Sequence, residues 1–138
     1  MSPARNLEYI KNGFRLSVSG LARMFGVSRQ AIYDWRSGKA VSPENAARLS
    51  DMARATDVLI GACVELSPHL LRRTITSGKN LLELVRDGAS AESSALMLVS
   101  ILRAEASQRE RLLARMNGRR PYPIDFSEAG IPMLEELD

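Results

Sequence analysis

Apolar residues recur every three or four positions along most of the chain, and Ser-Pro pairs and glycines interrupt them. This spacing is typical of amphipathic helices, and serine followed by proline is typical of a helix start. No stretch alternates strictly between apolar and polar residues, as a half-buried strand would. The pattern therefore predicts an all-α protein.

Seven helices fit between these signals. The first three are predicted at Pro3 to Gly13, at about Val18 to Phe25 behind a cap at Ser17 or Ser19, and from the Ser28 cap to about Arg36. The others are predicted from Pro43 toward Leu59, from Pro68 past Leu71 and Ile75, from Asn80 to Arg86, and from Ala91 to Met116. Three prolines after residue 120 predict an extended tail there.

Residues 21–38, LARMFGVSRQAIYDWRSG, have the layout of two short helices that meet at a glycine. The glycine is expected to adopt a positive φ, where a Cβ is costly. The apolar positions are spaced to close a small core between two steeply crossing helices: Leu21, Ala22, Phe25, Gly26, Val27, Ile32 and Trp35. This is the layout of a helix-turn-helix, whose second helix lies in the DNA major groove.

The outward positions of that second helix are the candidates for base readout. Ser28, Arg29 and Gln30 occupy its first turn. Arg29 can make a bidentate contact to guanine, and Gln30 can do the same to adenine. Tyr33 can contact a thymine methyl or a phosphate. Asp34 can accept from a cytosine amino group, but we favour a structural role in which it holds Gln30 or Arg29 along the helix.

Residues around the two helices are candidates for phosphate contacts. Arg36 and Lys39, near the end of the second helix, are placed for contacts that position the protein without specifying a sequence. Ser19, at the start of the first helix, can offer a hydroxyl and a helix N-terminus to another phosphate.

At these positions the stretch resembles the helix-turn-helix of the lambda-repressor-like (Xre or Cro/C1-type) transcriptional regulators, over roughly residues 5–60. The resemblance is carried by Ala22, Gly26, Val27, Ile32, the Trp35-x-x-Gly38 ending and Pro43. Two departures affect the phosphate contacts. The family often has a glutamine where this chain has Val18 or Ser19, and the loop after Gly38 is one residue longer. The resemblance implies a DNA-binding regulator.

The charge distribution agrees with a polyanion-binding face. The formal net charge is +3. Residues 1–60 carry nine Lys and Arg against five Asp and Glu, and residues 61–120 carry ten against six. Residues 121–138 carry five acids and no base. A basic body with an acidic tail suits DNA as a partner of the body.

Three parts are predicted: a helix-turn-helix DNA-binding domain at 1–60, a helical dimerisation or interaction region at 61–118, and a proline-broken acidic tail at 119–138. The last helix changes from apolar to strongly charged along its length, which favours pairing with a partner at its end. Four of its residues fall near one face and are predicted to hold a homodimer together: Leu98, Leu102, Leu112 and Met116.

The function predicted is therefore a sequence-specific transcriptional regulator, a repressor or autoregulator that binds a palindromic operator as a homodimer. One alternative is an antitoxin whose residues 61–138 bind and neutralise a toxin. A further alternative is a DNA-binding accessory protein of a mobile element. No catalytic group, metal site or cofactor is expected, since no nucleophile-and-base pairing, carboxylate cluster or metal-ligand spacing occurs.

Cys63, the only cysteine, is predicted to be a buried small hydrophobe. Without a signal peptide or a membrane-spanning run, a cytoplasmic location is expected.

Overall fold

The computed structural model describes residues 2–118, and its secondary structure is helical apart from one isolated bridge between Thr76 and Lys79. The all-α prediction is confirmed for these residues. No helix among them is long and apolar enough to cross a membrane. The helices are α1 (Pro3–Phe14), α2 (Val18–Phe25), α3 (Arg29–Arg36), α4 (Pro43–Gly61), α5 (Pro68–Leu71), α6 (Leu81–Arg86) and α7 (Ala91–Gly118). The predicted tail, residues 119–138, lies outside the described residues.

Serine caps begin the first five helices. Ser2, Ser42 and Ser67 each accept a hydrogen bond from the backbone N–H three residues further on, and proline occupies the position after each serine. Ser17 and Ser28 cap α2 and α3 in the same way. These caps satisfy the backbone N–H groups of the first helical turn, which have no partner inside the helix. The residues next to each helix start therefore determine where that helix begins.

The ends of α5 and α7 differ from the prediction. α5 ends at Leu71, before the apolar Ile75, which instead lies in a turn. The N–H of Ile75 bonds to the carbonyl of Lys79 at 2.8 Å, and Gly78 within the turn has a φ of 71°. α7 continues to Gly118, two residues beyond its predicted end at Met116.

The core lies among four pairs of packed helices: α1 with α4, α1 with α3, α2 with α3, and α2 with α6. Burying one large aliphatic or aromatic side chain contributes about 1.5–3 kcal/mol to folding. The largest fully buried apolar side chains are Leu7, Ile10, Leu21, Phe25, Ile32, Leu49, Met52, Leu59, Leu81 and Leu98. Cys63, predicted to be buried, is exposed at the end of α4 with a φ of 59°.

α2 and α3 are joined by a three-residue turn that begins at Gly26. This glycine has a φ of 67°, in the left-handed region that favours a residue without Cβ. The N–H of Val27 returns to the carbonyl of Ala22 at 2.9 Å and closes the end of α2. Ser28 then caps α3, so the chain leaves one helix and enters the next within three residues.

The inner side of this pair contains the apolar residues that the spacing predicted. Val27 is half-buried, and Gly26 is exposed at the turn. The other five are buried: Leu21, Ala22, Phe25, Ile32 and Trp35. The rings of Phe25 and Trp35 meet edge to face, with centroids 6.3 Å apart and planes at 70°. This arrangement is favourable for two aromatic rings and fixes how α3 lies on α2.

Two polar side chains of α4 connect it to neighbouring helices. Arg48 donates from Nη1 to the carbonyl oxygen of Phe25 at 2.7 Å, and its guanidinium lies 5.3 Å from the Phe25 ring centroid. Asp51 accepts from the N–H of Ala91 at 2.6 Å and from that of Glu92 at 3.1 Å. A carboxylate at a helix start pairs with unsatisfied N–H groups and with the helix dipole. α4 thus holds the end of α2 and the start of α7.

One compact unit extends through Ile101, and a second unit begins at Leu102. α4 continues across residue 60 to Gly61, and α6 packs on α2. Residues 61–101 therefore belong to the same compact unit as residues 2–60. The described part of the second unit is the latter portion of α7.

Trp35→Ala should lower the free energy of unfolding by about 3–5 kcal/mol, because it removes a large buried side chain and its ring contact with Phe25. Urea unfolding followed by far-UV circular dichroism measures the change. Tyr33→Ala is the matched control, since Tyr33 is an aromatic residue of the same helix with 52% of its surface exposed. The control should change the free energy by less than about 0.5 kcal/mol. Equal losses in both variants would contradict the packing role of Trp35.

Candidate nucleic-acid interface

The outer side of α3 lies opposite the buried residues Ile32 and Trp35. Because buried positions recur three residues apart on this helix, Tyr33 and Asp34 between them point away from the core, as does Gln30 one turn before Asp34. Arg29 and Arg36 lie at the edges of the buried side. Four of these side chains are exposed and Asp34 is half-buried. We call this set the outer face of α3: Arg29, Gln30, Tyr33, Asp34 and Arg36.

Asp34 is the centre of a hydrogen-bonded group on this face. Its Oδ1 accepts from Nε2 of Gln30 at 2.9 Å and from Nζ of Lys39 at 3.3 Å. Both contacts favour the charged carboxylate, and the hydrogen bond from Gln30 is the main reason why the pKa of Asp34 lies below its ordinary value. The contact expected between Asp34 and Gln30 along the helix is thus present.

Arg29 differs from its neighbours because its guanidinium has no hydrogen bond or ion pair with any residue in the described range 2–118. It is exposed at the first position of α3, directly after the Ser28 cap. Its five N–H donors are therefore available to a ligand outside the chain. Arginine presents them in a planar fork, which suits an acceptor pair on a flat edge.

Arg36 and Lys39, predicted as phosphate contacts, both have acidic partners. Arg36 Nε lies 3.1 Å from Glu8 Oε1 on α1, and Lys39 is paired with Asp34. The sequence pattern indicated neither pair. Exposed ion pairs of this kind contribute about 0–1 kcal/mol, so a phosphate can compete for either cation.

The serines of this region lie at the starts of α2 and α3. Ser28 accepts from the N–H of Ala31 at 3.1 Å, and Ser17 accepts from the N–H of Gly20 at 3.0 Å. Their hydroxyl protons remain donors, whereas their oxygens are used in capping. Ser19, predicted as a phosphate contact, is exposed in the first turn of α2 and caps no helix.

The outer face of α3 can therefore bind but has no arrangement for bond making. It offers a free guanidinium, a carboxamide, a phenol and a paired carboxylate, which are groups that recognise hydrogen-bonding edges. Within residues 2–118, no group of three or more His, Cys, Asp or Glu side chains could hold a metal ion.

The predicted dimerisation residues of α7 differ in burial. Leu98 is 1% exposed and belongs to the core of the first unit, so its prediction as an interface residue is wrong. It is buried because α7 packs on its own chain at the start, where Ala91 and Ala95 are also buried. Leu102 is half-buried.

The end of α7 carries exposed apolar residues, as do positions Leu96 and Met97 nearer its start. Leu112 is 51% exposed and Met116 is 59% exposed. Leu113, which was not selected from the sequence, is 58% exposed. Its signal was its spacing of three residues from Met116, because residues three or four apart lie near each other on a helix. Among residues 102–117, these three are the exposed large apolar side chains.

Arg48 is a residue of the site that the pattern did not single out. It lies within α4, far from α3 in sequence, yet its hydrogen bond to the carbonyl of Phe25 reaches the residue just before the turn. Its partner is a backbone carbonyl oxygen, so no pair of opposite charges in the sequence indicated this contact. Arg48 thereby supports the turn from which α3 starts.

The chain was compared with protein-family models, with curated proteins and with solved structures, and none of the three comparisons gives a match. The resemblance to lambda-repressor-like regulators therefore stays an expectation from the residues. Function is inferred below from the chemistry and geometry of the described residues.

Gln30→Ala should raise the pKa of Asp34 toward its ordinary value, because it removes the largest contribution to the lowered pKa. Since the pKa in the folded chain is lowered, the contacts of Asp34 are present above its ordinary pKa and are lost as pH falls through the lowered one. NMR titration of the Asp34 carboxyl carbon measures the value. Lys39→Ala is the comparison and should also raise the pKa, because it removes a hydrogen bond and a positive charge. An unchanged pKa in Gln30→Ala would contradict the contact.

Proposed function

We propose that the chain is a sequence-specific DNA-binding transcriptional regulator, a repressor or autoregulator that acts as a homodimer on a palindromic operator. The observation that carries the proposal is the two-sided α3, which is buried through Ile32 and Trp35 and presents Arg29, Gln30 and Tyr33 outward. In this proposal α2 and α3 form a helix-turn-helix and α3 is its recognition helix.

The size of α3 suits the major groove. It has eight residues, which makes it about 12 Å long, and an α-helix with side chains is about 10–12 Å across. The major groove of B-DNA is about 12 Å wide. The N-terminal residues of a recognition helix are those that contact base edges, and here these are Arg29 and Gln30.

Each outward side chain has a chemical counterpart on DNA. The unpaired guanidinium of Arg29 matches the O6 and N7 acceptors of guanine, and the carboxamide of Gln30 matches N6 and N7 of adenine. Tyr33 is exposed enough to contact a thymine methyl group or a phosphate. We assign Lys39, Arg36 and Ser19 to the phosphates, where they position the protein without reading sequence.

A homodimer is expected because a single DNA-binding module covers only a small area of DNA. A single module buries roughly 600–1,000 Å² of protein surface on DNA, and a two-fold dimer doubles the contact on half-sites about 34–36 Å apart. The exposed Leu112, Leu113 and Met116 support an interface at the end of α7. Large apolar side chains left in water near each other are typical of a surface that a partner covers.

Arg29→Ala should weaken binding to the selected operator by about 1–3 kcal/mol and relax the preference at one guanine position, because it removes a bidentate contact. Lys39→Ala should weaken binding to operator and random duplexes alike and reduce the slope of affinity against salt by about one unit. Titrations of both duplexes over a range of salt concentrations measure these effects.

Arg72→Ala is the charge-matched control for both variants, because Arg72 is an exposed arginine at the end of α5, outside α2 and α3. It should leave the affinity for the operator close to that of the wild type. The assignment of α3 as the reader fails if Arg29→Ala weakens binding to operator and random DNA to the same extent, as Lys39→Ala is expected to do.

Leu112→Glu should convert a dimer into a monomer, because it places a charge within an apolar interface. Light scattering on the full chain measures the molar mass. Ala114→Glu is the matched control on another side of the same exposed helical end and should leave the dimer intact. A wild-type chain that is monomeric would contradict pairing at this surface and would favour a different protein, such as a toxin, as its partner.

A further inference from the structure

The contact between Gln30 and Asp34 determines which edge of the Gln30 carboxamide remains free. An ionised carboxylate can only accept hydrogen bonds, so the amide nitrogen of Gln30, and not its oxygen, must face Asp34. The structure has this orientation, with Nε2 of Gln30 2.9 Å from Oδ1 of Asp34. One of the two amide N–H groups is thereby used within the helix.

What remains on Gln30 is the carbonyl oxygen and the second amide N–H. When Asp34 takes the N–H that points away from the carbonyl oxygen, the remaining edge has one acceptor and one donor side by side. Adenine presents the complementary pair in the major groove, an N6 amino donor beside the N7 acceptor. Guanine presents two acceptors there, O6 and N7, and satisfies only the donor of the free amide edge.

We propose that Asp34 is a positioning residue that sets the specificity of Gln30 for adenine, an inference that rests on the proposed DNA-binding function. Asp34 does not itself contact a base. It holds the side chain of Gln30 in one rotamer and one amide orientation before DNA arrives. A fixed side chain loses less conformational freedom on binding, so the preference for adenine increases.

Lys39 keeps this arrangement intact in the free protein. Its Nζ shares the same Oδ1 atom of Asp34, at the longer distance of 3.3 Å. The Lys39 side chain is 67% exposed, so it can leave Asp34 for a phosphate while the shorter bond from Gln30 persists. The negative charge of Asp34 then lies close to the DNA and disfavours binding to every sequence alike.

Selection of binding sites from a random duplex pool tests this proposal with the full chain. The variants are Gln30→Ala, Asp34→Ala and Asp34→Asn. The wild type should select an adenine in each half-site with a preference of about 5- to 150-fold, the range that one bidentate pair provides. Gln30→Ala should lose this preference, and Asp34→Ala should lose most of it. The preference at the guanine assigned to Arg29 should persist in all three.

Asp34→Asn separates positioning from charge. An asparagine oxygen can still accept from Nε2 of Gln30, but its amide can also donate to Oε1 of Gln30, so this variant should recover part of the adenine preference. Because the negative charge is gone, Asp34→Asn and Asp34→Ala should both bind random duplexes several-fold more tightly than the wild type at low salt. A merely structural role of Asp34 would leave the adenine preference unchanged, whereas the loss of charge would tighten random-DNA binding in either case.

The outcomes are distinct. A wild type that selects no sequence overturns the proposed function itself. Selection by the wild type together with an unchanged adenine preference in Asp34→Ala overturns the positioning role alone. Loss of adenine preference in Asp34→Asn as well as in Asp34→Ala also overturns it, because the acceptor would then not be what matters. Equal thermal unfolding midpoints of the variants exclude misfolding as the cause.

Discussion

The burial of one side of α3 against α1 and α2 is the constraint on which the rest of the molecule depends. Ile32 and Trp35 face inward, Phe25 meets Trp35 edge to face, and the turn at Gly26 gives α3 its direction. Once these contacts are made, the helical period alone decides that Arg29, Gln30 and Tyr33 face outward. Packing and recognition thus lie on opposite sides of the same eight-residue helix.

α4 connects the packed helices α2 and α3 to the rest of the first unit. Arg48 bonds to the backbone at the end of α2, and Asp51, less than one turn further along, caps the start of α7. A loss of either contact would leave a backbone group or a charge without its partner. α4 therefore connects the start of α7 with the end of α2, the helix on which α3 packs.

Much of the fold is predictable from the sequence because its signals are local. Ser2, Ser42 and Ser67 with their prolines begin helices as expected, and the apolar residues on both sides of Gly26 are buried where the spacing placed them. The outward positions of α3 followed from the same periodicity, so most of the candidate site was predictable too.

The remainder depends on contacts between residues far apart, which periodicity does not contain. Asp51 caps a helix that begins 40 residues later, and nothing near Asp51 indicates this. The spacing of Leu98 along the helix fits both an interface between two chains and the core of one chain. Only the packing of α7 on its own chain decides that Leu98 is buried. The pairing of Lys39 with Asp34 depends on how the chain turns after α3 ends.

The most direct measurement of whether α3 reads DNA is a map of backbone amide chemical shifts in the ¹⁵N-labelled full chain as an operator duplex is added. We expect the largest changes to fall on residues 28–39, with smaller ones at the start of α2 around Ser19. Residues of α5 and α6 should change little. Largest changes outside α2, α3 and the loop that follows α3, or none at all at concentrations that saturate the duplex, would contradict this expectation.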